Sequence, residues 1–163
     1  MEHVQIRQVV AADNAALASL IREVFEEHDA PQRGTVYSDP TTDGLFELFR
    51  EPGSVLWVAE ADGEIIGLCG VYPTPGLDPD CAELVKFYLL QKARGQGVGR
   101  KLMQRCFQSA EEMGYKRLYI ESLPEFANAV RIYEQLGFVR LTAPMGNSGH
   151  SSCSIWLIRQ LAN

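Results

Sequence analysis

Three glycines at alternate positions, Gly95, Gly97 and Gly99, separate a strand-like run from an amphipathic stretch. The run is Cys81 to Leu90. The stretch from Gly97 to Met113 carries Val98, Leu102, Met103, Cys106, Phe107, Ala110 and Met113 at helical spacing, with Gly114 placed to stop it. A second apolar run, Arg117 to Glu121, follows. Strand, helix and strand make a crossover unit, which predicts that the two strands lie parallel in one sheet.

The remaining elements attach to this unit. His3 to Val10 reads as a first strand. Asp13 or Asn14 is placed to cap a helix whose apolar face is Leu17, Leu20, Ile21, Val24 and Phe25. Pro31 to Pro40 reads as a loop, and a short helix is expected from about Asp43 to Arg50. Ser54 to Ala61 and Glu64 to Tyr72 are strand-like runs joined by Asp62-Gly63, a strong hairpin signal because both turn residues must accept positive φ. Pro73 to Asp80 is a proline-rich loop. Ser122 and Glu125 have capping-box spacing, which predicts a helix from there to Gln135, ended by Gly137. Phe138 to Leu141 and about Ser152 to Leu161 complete the strands. The order is βααβββαβαββ, an α/β chain with a mixed sheet and helices on both faces. The 163 residues suit one domain, 1–163, with no linker long enough to divide it.

Composition narrows the function classes. Apolar residues make up 46% and charged residues 22%, ordinary for a folded soluble chain. The net charge of −6 argues against nucleic-acid binding as the main task. No apolar run reaches the ~20 residues of a membrane span, and the N-terminus lacks the basic and apolar regions of a signal peptide. Cys69, Cys81, Cys106 and Cys153 form no Cys-x-x-Cys pair and read as reduced thiols in a cytoplasmic protein. The three histidines show no metal-site pattern, so no metal is expected.

The stretch Gln91 to Lys101 carries the chemistry. Its glycines remove side chains where backbone N–H groups must converge, and the following helix starts with about +0.5 of an elementary charge. Arg94, Arg100 and Lys101 add full charges. Together they make a cradle for a polyanion such as a pyrophosphate. Two familiar phosphate loops fail. Gly-x-Gly-x-x-Gly begun at Gly95 meets Arg100, and begun at Gly97 meets Leu102. A P-loop needs Gly-Lys-Ser/Thr, whereas Gly99 precedes Arg100 and Lys101 precedes Leu102.

Arg94-Gly95-Gln96-Gly97-Val98-Gly99 resembles the Arg/Gln-x-x-Gly-x-Gly/Ala signature of the GCN5-related N-acetyltransferase (GNAT) superfamily. Asn128 to Phe138, with Tyr133 and Gly137-Phe138, resembles the same superfamily's Asn…Tyr-x-x-x-Gly-Phe segment. The element order matches over nearly the whole chain. The resemblance implies the GNAT-like acyl-CoA N-acyltransferase fold, with splayed parallel central strands, and acetyl-CoA as cosubstrate. It implies that backbone near Phe87 and Leu89 holds the pantetheine arm. Arg94, Gly95, Gln96, Gly97, Val98, Gly99 and Arg100 would hold the pyrophosphate, and Asn128 would touch the pantetheine portion.

The implied reaction moves an acetyl group to a primary amine, of a small molecule or of a protein. The attacking ammonium must lose a proton and the departing thiolate must be stabilised. Tyr133 matches the family's general acid; its other reading is a packing residue beside Leu136 and Phe138. Glu83 lies six residues before Leu89, the spacing of the catalytic glutamate in the histone acetyltransferase branch. It is the candidate general base, with pairing to Lys86 or solvent as its other reading and Glu121 as a second candidate. A bulge would prevent assigning its face from alternation. The loop Pro144 to His150 reads as a solvated connection, with shaping of the acceptor pocket and assistance by His150 as its other reading. Tyr37, Asp39 and Asp43 read as loop residues. A non-catalytic acyl-CoA-binding sensor or interaction module is the alternative function. Relatives often pair, so a homodimer fits the resemblance, although no residue pattern marks an interface.

Overall fold

The computed structural model of the protein describes residues 3–162; Met1, Glu2 and Asn163, which the one-domain reading also spans, lie outside the described residues. The elements are β1 (Val4–Gln8), α1 (Asn14–Glu27), α2 (Leu45–Leu48), β2 (Val55–Ala61), β3 (Glu64–Tyr72), β4 (Cys81–Leu89), α3 (Val98–Glu112), β5 (Arg117–Ser122), α4 (Ala127–Gln135), β6 (Val139–Leu141) and β7 (Ile155–Gln160). The seven strands form one sheet in the order β1-β2-β3-β4-β5-β7-β6. All neighbouring pairs are antiparallel except β4 with β5, the crossover pair. The expected order βααβββαβαββ is therefore the observed one. No helix among the described residues is long and apolar enough to cross a membrane.

Each face of the sheet buries one amphipathic helical layer. Leu17, Leu20, Ile21, Val24 and Phe25 of α1 pack with Leu45, Leu56, Val58 and Leu68 on one face. On the other face, Val98, Leu102, Met103, Cys106 and Ala110 of α3 pack with Leu84, Leu118 and Ile120, joined by Val130 and Tyr133 of α4. Full burial of one such Leu, Ile or Phe contributes roughly 1.5–3 kcal/mol. The two layers therefore outweigh any single cap or surface ion pair in choosing the fold.

Local signals were followed where the demand was local. Asp62 and Gly63 both take positive φ, 53° and 78°, as the β2–β3 hairpin requires. Three expectations are corrected. Asp13 and Asn14 do not cap α1: Asp13 accepts two hydrogen bonds from Arg7 and one from the Val10 amide, while Asn14 accepts from the Phe46 amide. The Ser122–Glu125 capping box does not form. Ser122 is the last residue of β5, paired with Ile155, and Pro124 holds Leu123 extended, so a 3-10 turn over Pro124–Phe126 precedes α4. The helix expected from Asp43 to Arg50 is only Leu45–Leu48, preceded by a 3-10 turn over Pro40–Gly44.

Strand β4 carries the irregularity that matters. Val85 pairs with Gly70 and Tyr88 with Leu68, so Lys86 and Phe87 together face the single residue Cys69 of β3. Lys86 takes φ 57°, rare for a lysine. The extra residue reverses the alternation downstream. Leu84, Phe87 and Leu89 pack on the α3 side, whereas Val85 and Tyr88 pack on the α1 side.

Candidate active site

β4 and β5 pair at only three positions, Cys81↔Arg117, Ala82↔Leu118 and Glu83↔Tyr119. Beyond Glu83 the strands part, and the backbone of β4 from Leu84 onward has no strand against it on that side. The parting opens a cavity of about 150 Å³ whose walls include Glu83, Lys86, Phe87, Ser122, Asn128 and Tyr133. Such a slot presents unpaired strand groups to an extended ligand, as an edge does to an added strand.

The glycine loop stands at the wide end of the slot. Gly95 and Gly97 take φ 75° and 80°, and Gly97 is the left-handed residue from which α3 starts. A Cβ on either would meet nothing within 4 Å, so the loop surface is open. Within the described residues the first backbone bond of α3 is donated by Lys101 to the Gly97 carbonyl. The amides of Val98, Gly99 and Arg100 therefore point out of the helix start, where an anion fits. Gly99 differs from the other two: a Cβ there would lie 2.9 Å from the Phe87 ring and 3.2 Å from Leu89. Its role is close packing of α3 on β4.

The cations expected around this loop divide. Arg94 forks onto Glu27 of α1, with Nη2 also donating to the Leu89 carbonyl at 2.9 Å. It ties the loop to the end of β4 and to α1, and it lines the slot. Arg100 is exposed and donates to Gln135 at 2.9 Å. Gln96 donates to the Lys92 carbonyl. Asn128 is exposed at the start of α4 and accepts from Arg131 at 3.2 Å. The donor set that fits a diphosphate is thus mainly backbone, with side-chain charge at its rim. Gly97→Asp is expected to weaken acetyl-CoA binding at least about tenfold, because it sets a carboxylate among those amides. Gly97→Asn tolerates the left-handed backbone without the charge and isolates the electrostatic part. Calorimetric titration of both variants measures it.

Glu83 and Tyr133 line the same cavity. Glu83 is 4% exposed and accepts a 2.7 Å hydrogen bond from the Thr74 hydroxyl. Burial pushes its carboxyl up to about 7; Thr74 and Lys86 oppose this and the Glu121 charge reinforces it. Tyr133 is 6% exposed, its ring set against Phe87 and Phe138 at 5.8 and 5.9 Å. Burial holds its phenol well above the ordinary value, so it stays protonated. No buried side-chain polar atom among the described residues lacks a partner, and no protein group bonds the Tyr133 hydroxyl, so that hydroxyl opens on the cavity.

The wall of the cavity around His150 and Glu121 is built by residues far apart in sequence. His150 Nε2 meets Asp39 Oδ2 at 3.0 Å. Burial opposes ionisation of Asp39, but hydrogen bonds from His150 and Thr41 and the Lys86 charge bring it down to about 2. Glu121 accepts from the Tyr119 and Ser148 hydroxyls, and the Met145 amide donates to Tyr119. The loop from Pro144 to His150 is thus tied to β5 and to Asp39, and its Asn147 amide donates to Pro75. The connection is solvated as expected at Pro144, Gly146, Asn147 and Gly149, while Met145, Ser148 and His150 are half-buried where their groups find partners. Tyr37 and Asp43 stay outside: Tyr37 donates to Glu26, and Asp43 pairs with Arg22.

Sequence reasoning did not single out Thr74, Ser148 or Tyr119. Their contacts with the buried Glu83 and the half-buried Glu121 identify them, since a carboxylate withdrawn from water must find donors. Among the described residues no cluster of three or more His, Cys, Asp or Glu side chains is arranged to hold a metal ion.

Comparison with known proteins agrees with this geometry. The profile described as "Acetyltransferase (GNAT) family" matches residues 19–138. The Escherichia coli (strain K12) protein called uncharacterized N-acetyltransferase YjgM is 36% identical over 157 residues, covering 96% of this chain and 94% of that protein. Two solved structures share the fold. A GNAT-family acetyltransferase from Staphylococcus aureus Mu50 superposes with TM-score 0.87 at 18% identity, covering 98% of this chain and 99% of its own. The Salmonella typhimurium putative acetyltransferase yncA, solved with its cofactor acetyl-CoA, gives TM-score 0.78 at 20% identity, with 99% and 96% covered.

Proposed function

Because the chain belongs to the acetyltransferase (GNAT) family, we propose that it transfers the acetyl group of acetyl-CoA to a primary amine by direct attack in one ternary complex. The observation that carries this reading is the slot between β4 and β5, with open amides at its wide end and with Glu83 and Tyr133 on its walls. The diphosphate rests on the amides from Gly95 to Arg100. The pantetheine arm lies along β4 past Leu89 and Phe87, which brings the thioester toward Tyr133.

The chain's own groups then have distinct tasks. Glu83, titrating near neutrality, accepts the ammonium proton through water. The amine nitrogen bonds to the carbonyl carbon, and the carbon–sulfur bond breaks with its electron pair on sulfur. Tyr133 donates a hydrogen bond and then its proton to that sulfur, whose own proton affinity rises in the same dry site; the second proton, lost by nitrogen as the amide forms, passes through solvent and restores the Tyr133 phenol. A covalent acyl-enzyme has no supporting nucleophile here. Cys153 lines the cavity, but burial and the Glu121 and Glu83 charges push its thiol up to about 12.

Thiol release from acetyl-CoA in the presence of a panel of amines, amino acids and peptides tests the reading. Amine-dependent release is expected, with the N-acetylated product identified by mass. Tight acetyl-CoA binding without release for any acceptor class would instead identify a sensor or interaction module.

A further inference from the structure

Lys86 is the one buried side-chain charge among the described residues with no partner. The others are engaged: Asp13 with Arg7, and Glu83 with Thr74. Lys86 is 7% exposed, yet no ion pair or hydrogen bond engages its Nζ. Since every fully buried polar side-chain atom there has a partner, Nζ must reach open space, and the space Lys86 lines is the cavity. The bulge is what aims it there. With φ 57° it breaks the alternation and joins the face of Asp39, Glu83 and Cys153, the groups whose charges act on it. That face is the acceptor side, away from the amides that fit the diphosphate.

An ammonium largely withdrawn from water and given no protein partner is destabilised. Strained backbone adds to that cost. Both are offset when an anion arrives. The carboxylates on the same wall do not serve, because Asp39 is committed to His150 and Thr41, and Glu121 to Tyr119 and Ser148. Glu83 remains to meet the reacting amine. The pocket therefore offers one carboxyl for an ammonium group and one spare cation for an anion.

We propose that Lys86 binds a carboxylate of the acceptor, and that the acceptor is an amino acid rather than a simple amine or polyamine. This rests on the acetyl-transfer reading for the occupant of the pocket, but its recognition chemistry is measurable without turnover. Burial lowers the proton affinity of Lys86 while Asp39 and Glu83 raise it; a docked carboxylate keeps it charged.

The test uses the whole protein saturated with coenzyme A or acetyl-CoA, and free amino acids with their carboxamides as probes. Calorimetry on the coenzyme A complex reads binding, and thiol release from acetyl-CoA reads turnover. At least one amino acid is expected to bind on the order of 10- to 100-fold more tightly than its carboxamide, the range of a charge-assisted pair. Lys86→Met should erase that preference in binding and raise KM for the amino acid far more than for its carboxamide; because the lost charge also lets the Glu83 carboxyl rise, kinetics of acid and amide are compared above the Glu83 limb of the pH profile. Acetyl-CoA affinity reports whether the variant is folded, and the acid-to-amide comparison on the unaltered protein needs no variant. Equal binding of acid and amide, or binding of none of the amino acids, overturns the proposal. Selective binding without thiol release upholds Lys86 and overturns the transfer reading instead.

Discussion

Tyr133→Phe is expected to lower kcat by on the order of 10²- to 10³-fold while leaving the Kd for acetyl-CoA within about twofold. The ring stays, so its packing against Phe87 and Phe138 is kept. What goes is one hydroxyl that bonds no protein group and opens on the cavity. Removing an unpaired hydroxyl leaves no buried orphan behind, so stability should hold or rise slightly. A purely structural tyrosine would show the opposite pattern, with turnover kept. Steady-state kinetics with a confirmed acceptor, beside calorimetry with acetyl-CoA, separates the two outcomes. An unchanged kcat would remove Tyr133 from the chemistry.

Glu83→Gln is expected to lower kcat/KM on the order of 10²-fold and to change the shape of its pH dependence. In the native protein the basic form of Glu83 accumulates as pH rises through about 7, so one limb of the profile should climb there. The variant should lose that limb and keep the one set by the acceptor amine. Stability supplies a second signature, and its sign follows from the raised value. The folded chain holds the Glu83 proton more tightly than the unfolded chain, whose value is near 4.5. Glu83 therefore subtracts stability progressively as pH climbs from about 4.5 to about 7, and nothing further above that. Glutamine carries no such penalty and can still accept from Thr74. Above pH 7 the variant should thus melt no lower than the native protein while being far less active. A variant that melts much lower, with proportionate loss of activity, would make Glu83 a structural group.

The balance of effects at the cradle follows from the same reasoning. Arg94, a natural choice for a phosphate ligand, is spent on Glu27 and on the Leu89 carbonyl. Its replacement should act through the shape of the loop. The amides above Gly97 have no such competing partner, which is why a single carboxylate at Gly97 is the sharper probe of that region.

Much of the frame was legible because it obeys short-range rules. The apolar spacing of α1 and α3, the Asp62-Gly63 turn, and the strand–loop–helix order around Gly95, Gly97 and Gly99 each depend on residues within one or two turns of each other. The two motifs that resemble the GNAT signature lie on the elements where their chemistry requires them, at the start of α3 and along α4. The caps were misread for a related reason. Asp13 and Ser122 have the right local chemistry, but a stronger distant claim on each decides its conformation.

The amino-acid sequence by itself determined the order of elements, the parallel crossover and the glycine turn, since periodicity, turn chemistry and chain connectivity act along the chain. Tertiary structure alone decided how far β4 and β5 pair, that Lys86 turns inward at a bulge, and that Glu83 titrates near neutrality. It also decided that Asp39 meets His150 across 111 positions. These depend on which groups lose water together and which partners they then find, a matter of contacts between segments that no local window contains.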